Sequence, residues 1–224
     1  MNYRIFESEE LPYMVSFPLE YDKNKEYPVI IFLHGAGTRG VNFDKLIDNQ
    51  YFEITQKYEN FPFVTVAPLC CENSWFDVLH LLKDLVGKIA GAEFSDRRKI
   101  YLIGNSMGGY MTWQLAMSTP EYFAAIVPIC GGGMYWNAER LVNVPVWAFH
   151  GEKDCVVFPE ESKKMVDAIN KCGGNAKLTV YPDVAHNSWG ETFRNYEVFE
   201  WLLKNELKIT DKPVESFYDN KVFG

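Results

Sequence analysis

A serine between two glycines is the residue of this sequence best suited to covalent chemistry. The segment Gly104-Asn-Ser-Met-Gly108 follows an apolar run and precedes a stretch with helical spacing. A serine hydroxyl is a weak nucleophile, so it must be exposed, rigidly held and placed beside a base. A tight strand-to-helix turn achieves this, but side chains two residues before and after the serine would collide. Gly104 and Gly108 avoid the collision, so we predict that Ser106 is a nucleophile. The alternative is a structural glycine turn with an incidental serine.

A nucleophilic serine needs an acid and a histidine after it in the chain. Asp154 follows an apolar run that ends at Phe149, and it is the predicted acid. The nearest rival is Glu152, which lies closer to the strand and next to Lys153. His186 lies in the last loop, from which its ring could reach both the serine and the acid.

The other three histidines fit structural roles better. His34 and His150 each stand in a His-Gly turn at a strand end, and His80 falls off the apolar stripe of a helix. We therefore predict that His186 is the base and that His34 holds the loop in which it lies.

A glycine-rich loop after the apolar run 28–33 is the predicted oxyanion site. It reads His34-Gly-Ala-Gly37, and such a loop can offer a backbone N–H to a developing oxyanion. The expected donors are the N–H groups of Ala36 and Met107. A phosphate cradle is the alternative, but the Gly-Lys-Ser/Thr pattern is missing.

Three aromatic residues are candidates for substrate binding. Trp75 follows a loop at the carboxyl end of a predicted strand, and Tyr135 and Trp136 follow the glycine run 131–133. The alternative for each is ordinary core packing.

Strands and helices alternate along the chain. Apolar or alternating runs predict strands at 11–18, 28–33, 63–67, 100–103, 123–129, 144–149 and 177–181, the first as an edge strand. Helical spacing predicts helices at 43–58, 75–89, 160–171 and 189–205, besides the one after Ser106. This order predicts an α/β fold with a mostly parallel central sheet and helices on both faces. The three catalytic candidates each follow a strand, so they should meet at its carboxyl edge.

Composition limits the classes of function. A formal net charge of −8 argues against a nucleic-acid partner.

We expect no membrane span and no signal peptide, because no long apolar run is present. We expect a cytoplasmic location, because the five cysteines lack the regular spacing of a disulfide framework. No metal-ligand spacing occurs, so we predict no metal and no cofactor. One domain should cover residues 1–224, with a core at about 10–205 and a polar tail at 208–224.

These motifs resemble those of the α/β-hydrolases over about residues 10 to 205. The segments 27–40, 104–109 and 151–154 are similar to compact esterases near the dienelactone hydrolase, polyhydroxybutyrate-depolymerase-like and carboxylesterase groups. The resemblance implies a triad of Ser106, Asp154 and His186, with the N–H groups of Ala36 and Met107 as the oxyanion hole. Dienelactone hydrolases proper use a cysteine nucleophile, whereas this chain has a serine.

The expected function is hydrolysis of small-molecule carboxylic esters through an acyl-enzyme. The absence of a long lid insertion and the aromatic loops favour small or aromatic acyl groups, such as acetyl or hydroxycinnamoyl esters. A thioesterase or a peptidase of the same fold is the alternative among enzymes. A binding module with a silent triad is the alternative from another class.

Overall fold

The computed structural model describes residues 2–7 and 9–207, and the predicted tail at 208–224 lies outside these residues. The strands are β1 (Asn2–Phe6), β2 (Tyr13–Phe17), β3 (Tyr27–Leu33), β4 (Val64–Pro68), β5 (Ser95–Asn105), β6 (Ala125–Ile129), β7 (Val146–Gly151) and β8 (Ala176–Tyr181). The α-helices are α1 (Asp44–Ile47), α2 (Gln50–Thr55), α3 (Leu79–Ala90), α4 (Met107–Ser118), α5 (Pro159–Lys171), α6 (Trp189–Arg194) and α7 (Glu197–Leu203).

The strands form one sheet in the order β1-β2-β4-β3-β5-β6-β7-β8. The pairs β1–β2 and β2–β4 are antiparallel, and every pair from β4 to β8 is parallel. This confirms the predicted mostly parallel sheet. The carboxyl ends of β3, β4, β5, β6, β7 and β8 consequently lie along one edge, and the loops that leave them can meet there.

Two apolar layers cover the sheet, because successive side chains of a buried strand point to opposite faces. In β3, Val29, Ile31 and Leu33 belong to the apolar layer that includes residues of α3, α4 and α5, whereas Ile30 and Phe32 belong to the layer that includes residues of α1, α2, α6 and α7. Because both faces of β3 are covered by apolar layers, its sequence is a continuous hydrophobic run.

Some predicted elements differ from the observed ones. The segment 11–18 contains β2, which is not an edge strand. Strand β1 pairs with β2 on its outer side and forms the edge of the sheet. The predicted helix at 43–58 is two short helices, since Asn49 has extended backbone and its side chain accepts the N–H of Tyr51 to begin α2. The predicted helix at 189–205 is likewise broken at Asn195, whose ψ of 95° ends α6. Short polar side chains that bond to nearby amides favour such breaks.

Among the described residues, no helix combines the length and the apolar character needed to cross a lipid bilayer.

Candidate active site

Ser106 stands at a sharp turn between β5 and α4. Its φ of 55° and ψ of −117° are unusual for a residue with a side chain. The Ser106 N–H donates to the Ile129 carbonyl at 2.9 Å, which ties the turn to β6. The backbone is thus held in a strained conformation that leaves the hydroxyl partly exposed.

The glycines around Ser106 are required by close backbone contacts. A Cβ at Gly104 would lie 2.3 Å from the Gly108 carbonyl oxygen, and one at Gly108 would lie 1.9 Å from the Leu33 carbonyl oxygen. Because Gly108 has no side chain, the start of α4 can pack against the end of β3. This brings the residues after the serine next to the loop that follows β3.

Ser106, His186 and Asp154 form a continuous chain of hydrogen bonds. Ser106 Oγ lies 2.8 Å from His186 Nε2, and His186 Nδ1 lies 2.7 Å from Asp154 Oδ2. A carboxylate only accepts, so Nδ1 carries the imidazole proton and Nε2 is free to accept the serine proton. Glu152, the rival acid, instead accepts the N–H of Asp183 at 3.2 Å on the exposed surface.

The loop after β7 fixes the Asp154 carboxylate by hydrogen bonds from its own backbone. Its side chain has no exposed surface, and Oδ1 accepts the N–H groups of Val156 and Val157, each at 2.9 Å. Burial raises the pKa of Asp154, but the bonds from His186 and the two amides outweigh it, so its pKa lies below the ordinary value. The group is therefore an oriented anion at neutral pH.

The loop that carries His186 is placed by a glycine at the end of β7. A Cβ at Gly151 would lie 2.2 Å from the Ala185 carbonyl oxygen. Only a residue without a side chain allows the last loop to cross the end of β7 so closely.

The loop after β3 passes close to Ser106 at Gly35, the residue before Ala36. Gly35 is so near that a Cβ on it would lie 3.5 Å from Ser106 Cβ. Neither the Ala36 N–H nor the Met107 N–H, which starts α4, donates to another described residue. Two N–H groups without acceptors beside a serine could stabilise an oxyanion.

His34 sets the direction of the Ala36 N–H. Its Nε2 accepts the Cys70 N–H at 3.1 Å, so its Nδ1 carries the proton and donates to the Gly35 carbonyl at 2.8 Å. In a trans peptide the C=O and the following N–H point in opposite directions, so fixing this carbonyl fixes the Ala36 N–H. Burial lowers the pKa of His34 to about 4, so the ring is neutral.

The prediction that Trp75 binds substrate is wrong. The side chain has no exposed surface, its Nε1–H donates to the His34 carbonyl at 3.0 Å, and its ring packs on the His34 ring. An indole surrounded in this way supports the loop after β3 and cannot touch a substrate.

A groove of about 220 Å³ begins one helical turn from Ser106. Its lining residues are Phe76, Tyr110, Gln114, Gly132, Gly133, Met134 and Glu161. Sequence reasoning missed Tyr110, although its position four residues after the serine on a helix predicts the same face. Tyr135 and Trp136 do not line this groove, but both are exposed next to it in the chain. Their role in substrate binding stays a prediction.

A larger cavity of about 430 Å³ lies away from the triad. Its lining includes Tyr27 at the start of β3 and Phe61 to Phe63 before β4. These residues belong to the amino edge of the parallel strands, opposite the catalytic candidates.

One buried thiol lies close to Asp154 and His186. Among the described residues, Cys130, Asp154 and His186 each offer a possible metal-ligand atom within 4.8 Å of the others. Burial raises the pKa of Cys130 to about 12, so the thiol keeps its proton, which a metal would have to displace. The predicted absence of a metal stays a prediction.

Comparison with known proteins gives one similar solved structure and several similar sequences. A crystal structure described as a thermostable esterase is 31% identical, with a TM-score of 0.75 over 92% of this chain and 62% of that chain. Inactive dipeptidyl peptidase 10 of Mus musculus is 22% identical over 92% of this chain, and dipeptidyl-peptidase 5 of Porphyromonas gingivalis is 20% identical over 77%. The chain spans only about a third of the length of these two curated relatives.

The α/β-hydrolase fold predicted from the sequence is confirmed by the likeness to the thermostable esterase structure, and a family model gives the narrower classification. The model of the dienelactone hydrolase family matches residues 71–196, more than half of the chain, and this range includes Ser106, Asp154 and His186. The chain therefore belongs to the dienelactone hydrolase family, within the α/β-hydrolase superfamily.

Proposed function

We propose that this protein is a serine esterase that hydrolyses carboxylic esters through an acyl-enzyme. The observation that carries the proposal is the hydrogen-bond chain from Ser106 Oγ through His186 to Asp154. His186 Nε2 accepts the serine proton as Oγ attacks the ester carbonyl. The N–H groups of Ala36 and Met107 bind the oxyanion.

Collapse of the first tetrahedral intermediate releases the alcohol. Protonated His186, held by the Asp154 carboxylate, gives its proton to the leaving alkoxide. Water then enters, gives a proton to His186 and attacks the acyl-serine carbonyl. The acid leaves as Ser106 regains its proton, so the enzyme returns to its starting state.

The groove that begins one helical turn after Ser106, at Tyr110, supports a small or aromatic acyl group. Its volume of about 220 Å³ is small, and Phe76 and Met134 supply apolar surface. Phe76, Tyr135 and Trp136 are also exposed on loops that leave the carboxyl edge of the sheet. Exposed aromatic side chains beside a groove are typical of sites for apolar or aromatic ligands. We therefore propose acetyl and hydroxycinnamoyl esters as substrate classes.

Peptide hydrolysis is a second candidate, because two curated relatives are named as dipeptidyl peptidases, one of them inactive. The same triad could attack an amide. A chromogenic dipeptide anilide distinguishes this activity from the esterase.

The decisive experiment compares the wild type with Ser106→Ala on p-nitrophenyl esters from acetate to decanoate and on methyl ferulate. We expect turnover of acetate or ferulate by the wild type and a loss in kcat of about 10⁶-fold in the variant. Ser118→Ala, at the other end of α4, is the control and should keep full activity. No ester turnover by the wild type, or turnover that survives in Ser106→Ala, would reject the proposal.

A further inference from the structure

A second imidazole contacts the carboxylate that binds His186. His150, near the end of β7, has no exposed surface. Its Nε2 lies 3.2 Å from Asp154 Oδ2, the same oxygen that lies 2.7 Å from His186 Nδ1. Its Nε2 also lies 2.8 Å from the Val157 carbonyl oxygen. Two histidines therefore meet on one oxygen of the acid.

The surroundings of His150 determine where its proton lies. Both neighbours of Nε2 are acceptors, so Nε2 carries a proton. Burial lowers the pKa of His150 against the opposing effects of Val157 and Asp154, so the ring is neutral at neutral pH. The Ser162 hydroxyl lies 2.8 Å from Nδ1 and donates to the Gly131 carbonyl oxygen at 2.9 Å. Asp154 and His186 are the charged or titratable groups that face this ring.

Three hydrogen-bond donors and one further N–H surround the Asp154 carboxylate. Oδ1 accepts the amides of Val156 and Val157, and Oδ2 accepts from His186. The Nε2–H of His150 donates to the Val157 carbonyl at 2.8 Å, and its nitrogen lies 3.2 Å from Oδ2. Each added donor disperses negative charge and lowers the basicity of the carboxylate. The bond from His150 to the Val157 carbonyl also ties the acid loop to the end of β7.

We infer that His150 is a positioning residue that shares Oδ2 of Asp154 with His186 and limits how strongly the carboxylate holds the protonated form of His186. The inference rests on the proposed function, because it describes how the acid of that triad is tuned. His150 acts through Asp154 and does not touch the serine.

The first test uses proton NMR of the full wild-type chain, which needs no substrate. The two ring nitrogens both contact Asp154 Oδ2, at 3.2 and 2.7 Å, so their protons lie close together. We therefore expect a nuclear Overhauser effect between His150 Nε2–H and His186 Nδ1–H. Assignment comes from His150→Gln and His186→Gln, each of which removes one of the resonances. If both protons are assigned and no Overhauser effect links them, the inference is overturned.

The second test compares His150→Leu, which lacks a donor, with His150→Gln, whose amide can donate. In the Leu variant we expect the NMR resonance of the His186 Nδ1 proton to move downfield. We also expect the acid limb of the pH profile of kcat/KM to shift upward by about 0.5 pH unit. The Gln variant should shift less in both readouts. His80→Gln, an exposed histidine on α3, is the matched control and should change neither.

The outcomes separate the inference from the proposed function. A folded Leu variant with an unchanged resonance and an unchanged acid limb would overturn the inference. If the Leu variant does not fold, His150→Phe, a ring without a donor, takes its place. If the wild type hydrolyses no ester, the proposed function fails, while the Overhauser effect and the resonance shift still decide whether His150 shares the oxygen.

Discussion

At the scale of single residues, the site depends on which atoms carry protons. Asp154 has no exposed side-chain surface, and each of its oxygens has donors around it. That arrangement selects the His186 tautomer with its proton on Nδ1, because only that tautomer donates to the acid and accepts from the serine. His34 uses the same principle in the loop after β3, where its Nδ1–H fixes the Gly35 carbonyl.

Replacing Asp154 by Asn tests the tautomer. The Asn amide would donate to His186 Nδ1, which forces the proton to Nε2 and prevents it from accepting the Ser106 proton. We expect kcat to fall about 10⁴-fold with little change in KM, measured on the best p-nitrophenyl ester. Asp183→Asn, at an exposed residue paired with Lys153, is the control and should keep full activity. If Asp154→Asn were as active as this control, the tautomer of His186 would not limit the reaction.

At the scale of elements, three glycines let strands, helices and loops approach closely enough to assemble the site. Gly108 joins α4 to the end of β3, Gly104 admits the first turn of α4, and Gly151 admits the His186 loop. In each place the atom nearest to an added Cβ would be a backbone oxygen, which cannot rotate away. Ser106, Asp154 and His186 lie far apart in sequence, so these close approaches determine the distances between them.

Gly108→Ala tests this packing. Its Cβ would lie 1.9 Å from the Leu33 carbonyl oxygen, so β3 and α4 must separate. We expect the free energy of unfolding to fall by about 3 kcal/mol, measured by urea denaturation. Gly37→Ala, in the loop after β3, is the matched control because a Cβ there has no atom within 4 Å. A Gly108→Ala protein as stable as the Gly37→Ala protein would contradict the expectation.

At the scale of the whole molecule, the sheet is buried between two apolar layers, and a buried histidine in the loop that follows β3 couples folding to pH. His34 has no exposed surface, and burial lowers its pKa to about 4 from an ordinary value of 6.5. As the pH falls, His34 is therefore protonated at a higher pH in the unfolded chain than in the folded chain. The contribution to stability is complete above pH 6.5 and is lost as the pH falls from 6.5 to about 4.

This linkage predicts that His34 accounts for about 3 kcal/mol of the stability lost between pH 7 and pH 4. The free energy of unfolding should be measured by urea denaturation at several pH values in this range. His34→Gln should be less stable at pH 7 but should lose less on acidification. His80→Gln is the control, and its curve should run parallel to that of the wild type. A parallel curve for His34→Gln would show that His34 does not titrate in this window.

Much of the architecture was predictable from the sequence because its signals are local. The apolar runs of β3, β6 and β7 and the helical spacing of α5 predict their own elements. The positions of helix breaks were not predicted, since Asn49 and Asn195 interrupt apolar spacing that continues across them. Strand β1 was missed because its side chains are largely exposed, so it has no apolar pattern.

By itself, the sequence determined the fold class, the catalytic candidates Ser106, Asp154 and His186, and the glycine turn that holds the serine. These follow from residue types, chain order and periodicity, which are properties of neighbouring positions. Only the tertiary structure decided that Trp75 supports a loop, that Tyr110 and Gln114 line a groove, and that His150 meets the acid. The physical reason is that burial and hydrogen-bond partners depend on how distant loops meet at the carboxyl edge of the sheet.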